Sequence, residues 1–339
     1  MKRTGGGEMR ETSTIGIDIG GTAIKLGIVG ASGTVLSEAE LDSPIGLSQQ
    51  EAVAEIARAA TELREALARR TSGAGMPCAV GMGSAGLVSS EAGVVHTSPN
   101  LPRWRDVPLA ARVGRALNLP AFLLNDANAF TLAEARLGAG AGASPVVGVT
   151  LGTGVGGAIV LDGRLLDGVH GFAGEVGHMS VAYEGPLCPC GNRGCLELYV
   201  GRRGLVASYL RRAKWRLGEA AYELAGGDRD ALDPRLLAAA AQRGDRAAET
   251  AFAVAGEILG VGLANLANLV DPQRFVVGGG VSRAGDLLLA PAERALRARV
   301  MMGAERAPQI RRAALGMSAG LIGAALYAAD RVGDEERIG

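Results

Sequence analysis

Alternation of apolar and polar positions opens the chain. Thr14 to Ile19 and Ala23 to Val29 read as two short β-strands joined by Gly20-Gly21-Thr22, and Thr34 to Leu41 follows the Ser32-Gly33 turn as a third strand of a β-meander. Ahead of them, residues 1–13 carry Gly5, Gly6 and Gly7 and no apolar period, which predicts a flexible extension in which Met9 is an alternative start. Ser48 with Glu51 three positions on makes a capping box before the helical spacing of Val53 to Leu67. Strands recur at Ala79 to Met82 and Ala121 to Leu124, separated by a Pro-rich loop around Pro99 to Pro108 and a helix over Leu109 to Leu117. A second strand-turn-strand unit runs from Val146 to Leu151, turns through Gly152-Thr153-Gly154, continues as Val155 to Leu161 and, after Asp162-Gly163, resumes at Arg164 to Leu166. Its likeness to the opening meander hints at an internal duplication. Beyond Gly201 helical spacing dominates, over Leu205 to Leu217, Pro234 to Arg243 and Ala247 to Leu269, before a strand at Arg274 to Val277. Strands mixed with helices predict an α/β protein.

Composition narrows the function classes. The 339 residues hold 35 Lys plus Arg against 35 Asp plus Glu, so the net charge is zero and the basic excess typical of nucleic-acid binding is missing. With 48% hydrophobic and 21% charged residues the chain is globular, and its length suggests two domains. No apolar run reaches a membrane span and Met1 to Thr14 lacks the apolar core of a secretion signal, so a cytoplasmic protein without membrane partner is expected. Gly is frequent (52 residues) and aromatic residues are only 4%, which implies tight turns and a core of Ala, Val and Leu. Lysine occurs only at Lys2, Lys25 and Lys214; genomic bias explains the scarcity, yet it draws attention to the setting of Lys25.

Several clusters carry candidate chemistry. In Asp18-Ile19-Gly20-Gly21-Thr22-Ala23-Ile24-Lys25, two glycines open the backbone to a phosphate, Thr22 adds a hydroxyl, Lys25 a charge, and Asp18 at a strand end can hold hydrated Mg²⁺; the alternative is a plain Gly-rich hairpin. Gly152-Thr153-Gly154-Val155-Gly156-Gly157 satisfies G-x-G-x-x-G, but a dinucleotide fingerprint needs a helix next, and Ala158 to Leu161 is β-like, so a phosphate-binding hairpin is expected. Gly278-Gly279-Gly280 follows a strand and precedes a helix, where bare backbone could lie against a nucleoside or simply make a bend. His178 and Cys188, Cys190 and Cys195 offer three thiolates and an imidazole, a complete tetrahedral Zn²⁺ set that leaves no open position for catalysis. A Cys188–Cys190 or Cys190–Cys195 disulfide is the alternative, and a reducing compartment opposes it. Cys78 reads as a small core residue, and His96 and His170 have no sequence neighbours that suggest a role. Asp126 in Asn125-Asp126-Ala127-Asn128 stands where a strand passes into a helix, a position suited to an N-cap and also to a general base.

Together these elements resemble the ROK family of bacterial sugar kinases and repressors, within the hexokinase/actin/Hsp70 superfamily. The resemblance is carried by Asp18 to Lys25, Asn125-Asp126, Leu151 to Gly157, Glu175-Val176-Gly177-His178, Cys188 to Glu197 and Val277 to Gly280, in order from about Thr14 to Ala329. It implies a two-domain α/β (ribonuclease H-like) fold with a cleft: a small domain over 14–125 joined by a C-terminal helix at 315–330, and a large domain over 126–314 carrying the zinc motif. It implies ATP-dependent phosphorylation of a hexose at the 6-hydroxyl with Mg²⁺ and a structural Zn²⁺. Asp126 corresponds to the family's base, and Asn100, Asn125, Glu175, His178 and Glu197 to its sugar ligands. Gly20, Gly21, Thr22, Lys25, Gly152, Thr153 and Gly154 correspond to the phosphate clamp, with Gly278, Gly279 and Gly280 as the adenosine wall. One ring nitrogen of His178 would face zinc and the other the sugar. Glucose is the expected acceptor, ahead of N-acetylmannosamine, N-acetylglucosamine, fructose and allose, and the family suggests a homodimer or homotetramer. The alternative class, a sugar-responsive repressor, would carry a DNA-binding domain ahead of the kinase-like part, where only residues 1–13 precede the first strand.

Overall fold

The computed structural model describes residues 12–71, 75–99 and 101–338. The chain divides into two compact units, Met1–Ala133 with Met317–Gly339, and Glu134–Gly316.

Unit 1 is built on a five-stranded sheet of order β3-β2-β1-β4-β8. Its strands are β1 (Ser13–Ile19), β2 (Ala23–Gly30), β3 (Val35–Asp42), β4 (Pro77–Ser84) and β8 (Ala121–Asn125). The first three pair antiparallel, whereas β4 and β8 run parallel to β1. Period-two alternation sorts β1 by face. Ile15, Ile17 and Ile19 enter an apolar core with Ile56 and Ala60 of α1 (Gln49–Thr71) and Val113 of α2 (Leu109–Leu117). Thr14, Gly16 and Asp18 face the other way, toward α10 (Ala319–Ile338). The Thr14 hydroxyl donates to Ala325 O at 3.0 Å, and the space outside Gly16 and Gly81 is filled by the carbonyls of Leu321 and Ala324. The capping box at α1 is present in both directions, Ser48 N to Glu51 Oε2 at 2.7 Å and Glu51 N to Ser48 Oγ at 3.2 Å.

A second sheet of unit 1 differs from the sequence expectation. The region read as strand-free before the helix at Leu109 holds β5 (Leu87–Ser89), β6 (Val94–Thr97) and β7 (Arg105–Val107), paired antiparallel. Strands this short carry too few alternations to register as periodic. His96, left without a role, pairs through Nδ1 with Asp106 Oδ1 at 2.7 Å. Cys78 lies in β4 and is half-buried.

Unit 2 repeats the strand order and directions, β11-β10-β9-β12-β13, with β9 (Val146–Leu151), β10 (Val155–Leu161), β11 (Arg164–Leu165), β12 (Arg274–Gly278) and β13 (Gln309–Arg312). Two sheets of the same unusual mixed order support the duplication suggested by the two Gly-Thr hairpins. Between β11 and β12 lie α4 (Glu197–Val200), α5 (Arg202–Leu210), α6 (Ala220–Leu224), α7 (Pro234–Gln242) and α8 (Arg246–Val270), with α9 (Asp286–Arg297) before β13; α3 (Asp126–Leu137) connects the units in sequence. The helix expected over Leu205 to Leu217 stops at Leu210. Trp215 takes a left-handed backbone (φ 48°), its N–H donates to Glu219 Oε2 at 2.8 Å, and its ring packs edge-on against Tyr209 and Tyr222. That aromatic cluster turns the chain.

Helix α8 also corrects the sequence reading, since it is long and apolar enough by composition to cross a membrane. Its apolar face is spent on the unit 2 core, where Phe252, Leu259 and Leu263 pack with Val147, Val149 and Phe275. Glu134 is fully buried and its carboxylate accepts from the N–H groups of Ala139, Ala314 and Leu315 at 2.8–3.0 Å. These bonds replace the water the charge has lost.

A methyl group at position 81 would have to displace the α10 backbone rather than a movable side chain. Gly81→Ala should lower stability by about 1–3 kcal/mol, measured by urea unfolding; an unchanged midpoint would mean α10 packs less tightly than described.

Candidate functional site

The unit 1 site gathers where β1 and β8 end. Asp18 sits opposite Lys25 in the β1–β2 register, and the intervening Gly20-Gly21-Thr22 turn closes with Gly20 N donating to Ala23 O at 3.0 Å. Ser43, at the end of β3, donates its hydroxyl to Gly21 O at 2.6 Å and so pins the turn from outside. Sequence reasoning missed Ser43 because nothing local distinguishes it from other loop serines. Asp126 opens α3, and Ala127 N donates both to Asp126 Oδ1 at 2.9 Å and to Asn125 Oδ1 at 2.8 Å. Asn125 also donates from Nδ2 to Gly86 O at 3.2 Å, which leaves one amide hydrogen for a ligand. Asn100 lies outside the described residues. A groove of about 680 Å³ elsewhere in unit 1, beside Gly93, Gly114 and Phe122, contains none of these residues.

Electrostatics mark Asp18. Burial, with the neighbouring charge of Asp126, pushes its carboxyl up to about 6, against a smaller opposing pull from Lys25. A buried carboxyl facing the charge of a second one favours a proton or a cation.

The unit 2 site is centred on the Gly152-Thr153-Gly154 turn. A strand, β10, follows it, so the G-x-G-x-x-G match is a hairpin, with Gly152 N donating to Gly154 O at 2.9 Å. Gly279 adopts a positive φ (87°) and lies against the Leu151 backbone, where any Cβ would overlap it. After Gly280 the chain makes a single 3-10 turn, Val281–Ala284, and only then enters α9, a correction to the helix expected directly behind the glycines. Together Gly152, Thr153 and Gly280 line a cavity of about 480 Å³, completed by α7 from Asp233 and by the arginines Arg202, Arg235 and Arg283. None of those arginines was legible in sequence, because they reach the cavity from three separate segments in a chain where Arg is common. Asp233 caps α7, accepting from Leu236 N at 2.7 Å.

Glu197 begins α4 and accepts from Val155 N with Oε2 at 3.0 Å, so it is brought to the glycine turn. Glu175 is exposed and precedes a single turn, Val176–His178, that presents the imidazole.

The metal-ligand atoms of His178, Cys188, Cys190 and Cys195 all lie within 4.8 Å of one another. Cys190 and Cys195 sulfurs are 3.7 Å apart; two thiolates on one tetrahedral Zn²⁺ would be separated by about 3.75 Å, from a Zn–S bond of about 2.3 Å. The His178 nitrogen facing the cluster is Nδ1, 3.9 Å from Cys188 Sγ. Burial and the two neighbouring thiols push Cys195 up to about 12, whereas hydrogen bonds from the Asn192 backbone and the neighbouring cysteines pull Cys190 down. The donor set and its spacing fit such a metal. Asn192 braces the cluster, donating from Nδ2 to His178 O and Ser180 Oγ, both at 3.0 Å, while its carbonyl accepts from Cys188 N at 2.7 Å.

Duplicated five-stranded sheets of this order, with glycine hairpins at the first turn of each, define the two-unit hexokinase/actin/Hsp70 fold class. Within that class the chain belongs to the ROK family, which it matches over residues 14–331. It is 35% identical to a glucokinase of Thermotoga maritima over 326 residues, 96% of this chain and all of that protein. It is 37% identical to a Streptomyces coelicolor glucokinase over 319 residues, 92% of this chain and 96% of the other. A crystal structure of a ROK family glucokinase from Streptomyces griseus in complex with glucose and AMPPNP is similar at a TM-score of 0.79 and 37% identity, covering 94% of this chain and 99% of that one.

The raised Asp18 carboxyl predicts a pH signature. A folded value near 6 against 3.8 unfolded means the native state prefers the protonated acid, so this residue costs no stability below pH 3.8 and its full cost above pH 6. In metal-free buffer at pH 7, Asp18→Asn should therefore raise stability by roughly 1–3 kcal/mol, and the gain over wild type should shrink toward zero near pH 4. Equal stability of the two proteins at pH 7 would show that the carboxyl is not strained.

Proposed function

We propose that this chain is an ATP-dependent glucose kinase forming glucose 6-phosphate. The observation that carries this is the near-full-length likeness to glucokinases in a chain that also places an acid at the β8–α3 junction and glycine turns beside an arginine-lined cavity. Asp126 is the base: with Oδ1 held by Ala127 N at the start of α3, the carboxylate is oriented to take the proton of the sugar 6-hydroxyl as the γ-phosphoryl group arrives. Asn100, Asn125, Glu175, His178 and Glu197 bind sugar hydroxyls. Such a set makes the site selective, since a sugar lacking one hydroxyl leaves a polar group unpaired.

Gly20, Gly21, Thr22 and Lys25 with Gly152, Thr153 and Gly154 hold the phosphates through backbone N–H groups and one ammonium. The cavity behind Gly278, Gly279 and Gly280 takes the nucleoside, and the arginines at its wall complement the triphosphate charge. Asp18 is the residue placed to hold Mg²⁺ through its water shell, where the ion would neutralise charge on the phosphates. Zinc is the metal best suited to His178, Cys188, Cys190 and Cys195; it would fix the imidazole through Nδ1 and leave Nε2 to the sugar.

The acceptor is tested by ADP release across glucose, N-acetylmannosamine, N-acetylglucosamine, fructose and allose; turnover with N-acetylated sugars and none with glucose would overturn the assignment. Asp126→Ala should lower kcat by about 10²–10⁴-fold with the thermal unfolding profile retained, and substantial residual turnover would reduce Asp126 to a helix cap. Cys190→Ser should lose its metal by elemental analysis and raise the glucose KM by roughly tenfold or more; full activity in metal-free wild type would refute the zinc argument.

A further inference from the structure

The glycine turn of unit 2 is gripped by one short stretch of chain. Glu197 Oε2 accepts from Val155 N at 3.0 Å, on the far side of the turn. Arg202 N donates to Gly152 O at 3.0 Å, on the near side. Between them Gly201 lies against Thr153 O, close enough that a Cβ there would sit within 3.2 Å of it. The stretch begins at Cys195, a member of the metal cluster, and Leu196 N donates to Met179 O at 3.0 Å, one residue beyond His178. A single covalent run of eight residues, 195–202, thus leaves the metal cluster and grips the glycine turn at Gly152, Thr153 and Val155.

We infer that Glu197 is a positioning residue for the nucleotide as well as a sugar ligand, and that the 195–202 segment couples the metal-anchored sugar site to the phosphate turn. The inference rests on the glucose-kinase reading, which makes Glu197 a sugar ligand and the Gly152 turn a phosphate site; the grip of Glu197 on that turn rests on its hydrogen bond to Val155 N. The chemistry follows from the two oxygens of a carboxylate. Oε2 is committed to Val155 N, so a sugar hydroxyl that donates to the other oxygen orders the side chain and with it the turn. Nucleotide then binds a turn whose conformational freedom has already been lost. The apposition is tight: a Cβ on Gly154 would overlap the Glu197 carboxylate, so Gly154 is what lets the acid reach the backbone. By linkage the coupling is reciprocal, with bound nucleotide tightening sugar to the same degree.

The test is calorimetric titration of AMPPNP into the metal-loaded full chain, with and without 6-deoxyglucose, which lacks the 6-hydroxyl that would take the phosphoryl group. In wild type the sugar should tighten AMPPNP by roughly fivefold or more. Glu197→Ala should weaken AMPPNP about tenfold without sugar and abolish the enhancement. Glu197→Gln keeps an acceptor oxygen for Val155 N; its AMPPNP affinity without sugar should stay within about twofold of wild type while sugar affinity falls. A purely structural role would leave sugar affinity unchanged in Glu197→Gln. Gly154→Ala, which leaves Glu197 in place but displaces its carboxylate, should reproduce the loss of enhancement even if Glu197→Ala does not fold. AMPPNP affinity in Glu197→Ala within twofold of wild type, or an enhancement that survives it, would overturn the inference. If wild type binds AMPPNP but phosphorylates no hexose, the substrate reading fails and the nucleotide titration alone decides whether Glu197 holds the turn.

Discussion

Backbone in contact with backbone is the constraint on which both units depend. In unit 1, α10 lies on the sheet so closely that the positions outside Gly16 and Gly81 are taken by main-chain carbonyls. In unit 2 the same closeness recurs at the site, where Gly177 abuts Val155 and Gly279 abuts Leu151. With aromatic residues at 4%, the layers are filled by Ala, Val and Leu and can approach nearer than bulky side chains would allow. The abundance of glycine is therefore a packing device as much as a turn device. It also serves the chemistry, because only backbone bare of side chains can offer its N–H groups to a polyanion at contact distance.

Charge is arranged in the opposite spirit, with like groups forced together. Asp18 and Asp126 share the strand ends of unit 1, and three thiols crowd one corner of unit 2. Asp18 and Cys195 are both pushed up by burial and by these neighbours. The donor set and spacing of the thiol cluster are compatible with a fully coordinated metal. Cys195 of the cluster also begins the 195–202 segment, whose Glu197 reaches the N–H of Val155.

Much of this was legible in the sequence, and the reasons are local. Strands β1, β2, β9 and β10 follow from period-two patterns long enough to count, and α2 from a helical period bounded by Pro108 and Asn118. The cluster of His178 with Cys188, Cys190 and Cys195 was recognisable because its donors are close in sequence and rare in this chain. By contrast β5, β6 and β7 are three or four residues long and leave no period to detect. The early end of α5 depends on the packing of Trp215 with Tyr209 and Tyr222, side chains whose spacing is compatible with a longer helix.

The sequence by itself determined the α/β class, the two glycine hairpins, the family and the candidate donors, because each is written in short-range pattern or in a motif of fixed spacing. Only the tertiary structure decided what those donors touch. That Asp18 feels Asp126 across the sheet, that Ser43 pins Gly21, and that Glu197 reaches the N–H of Val155 are contacts between residues from 22 to 108 positions apart. Such contacts are set by strand order and by how closely backbones can approach, quantities that arise only when the whole chain has folded.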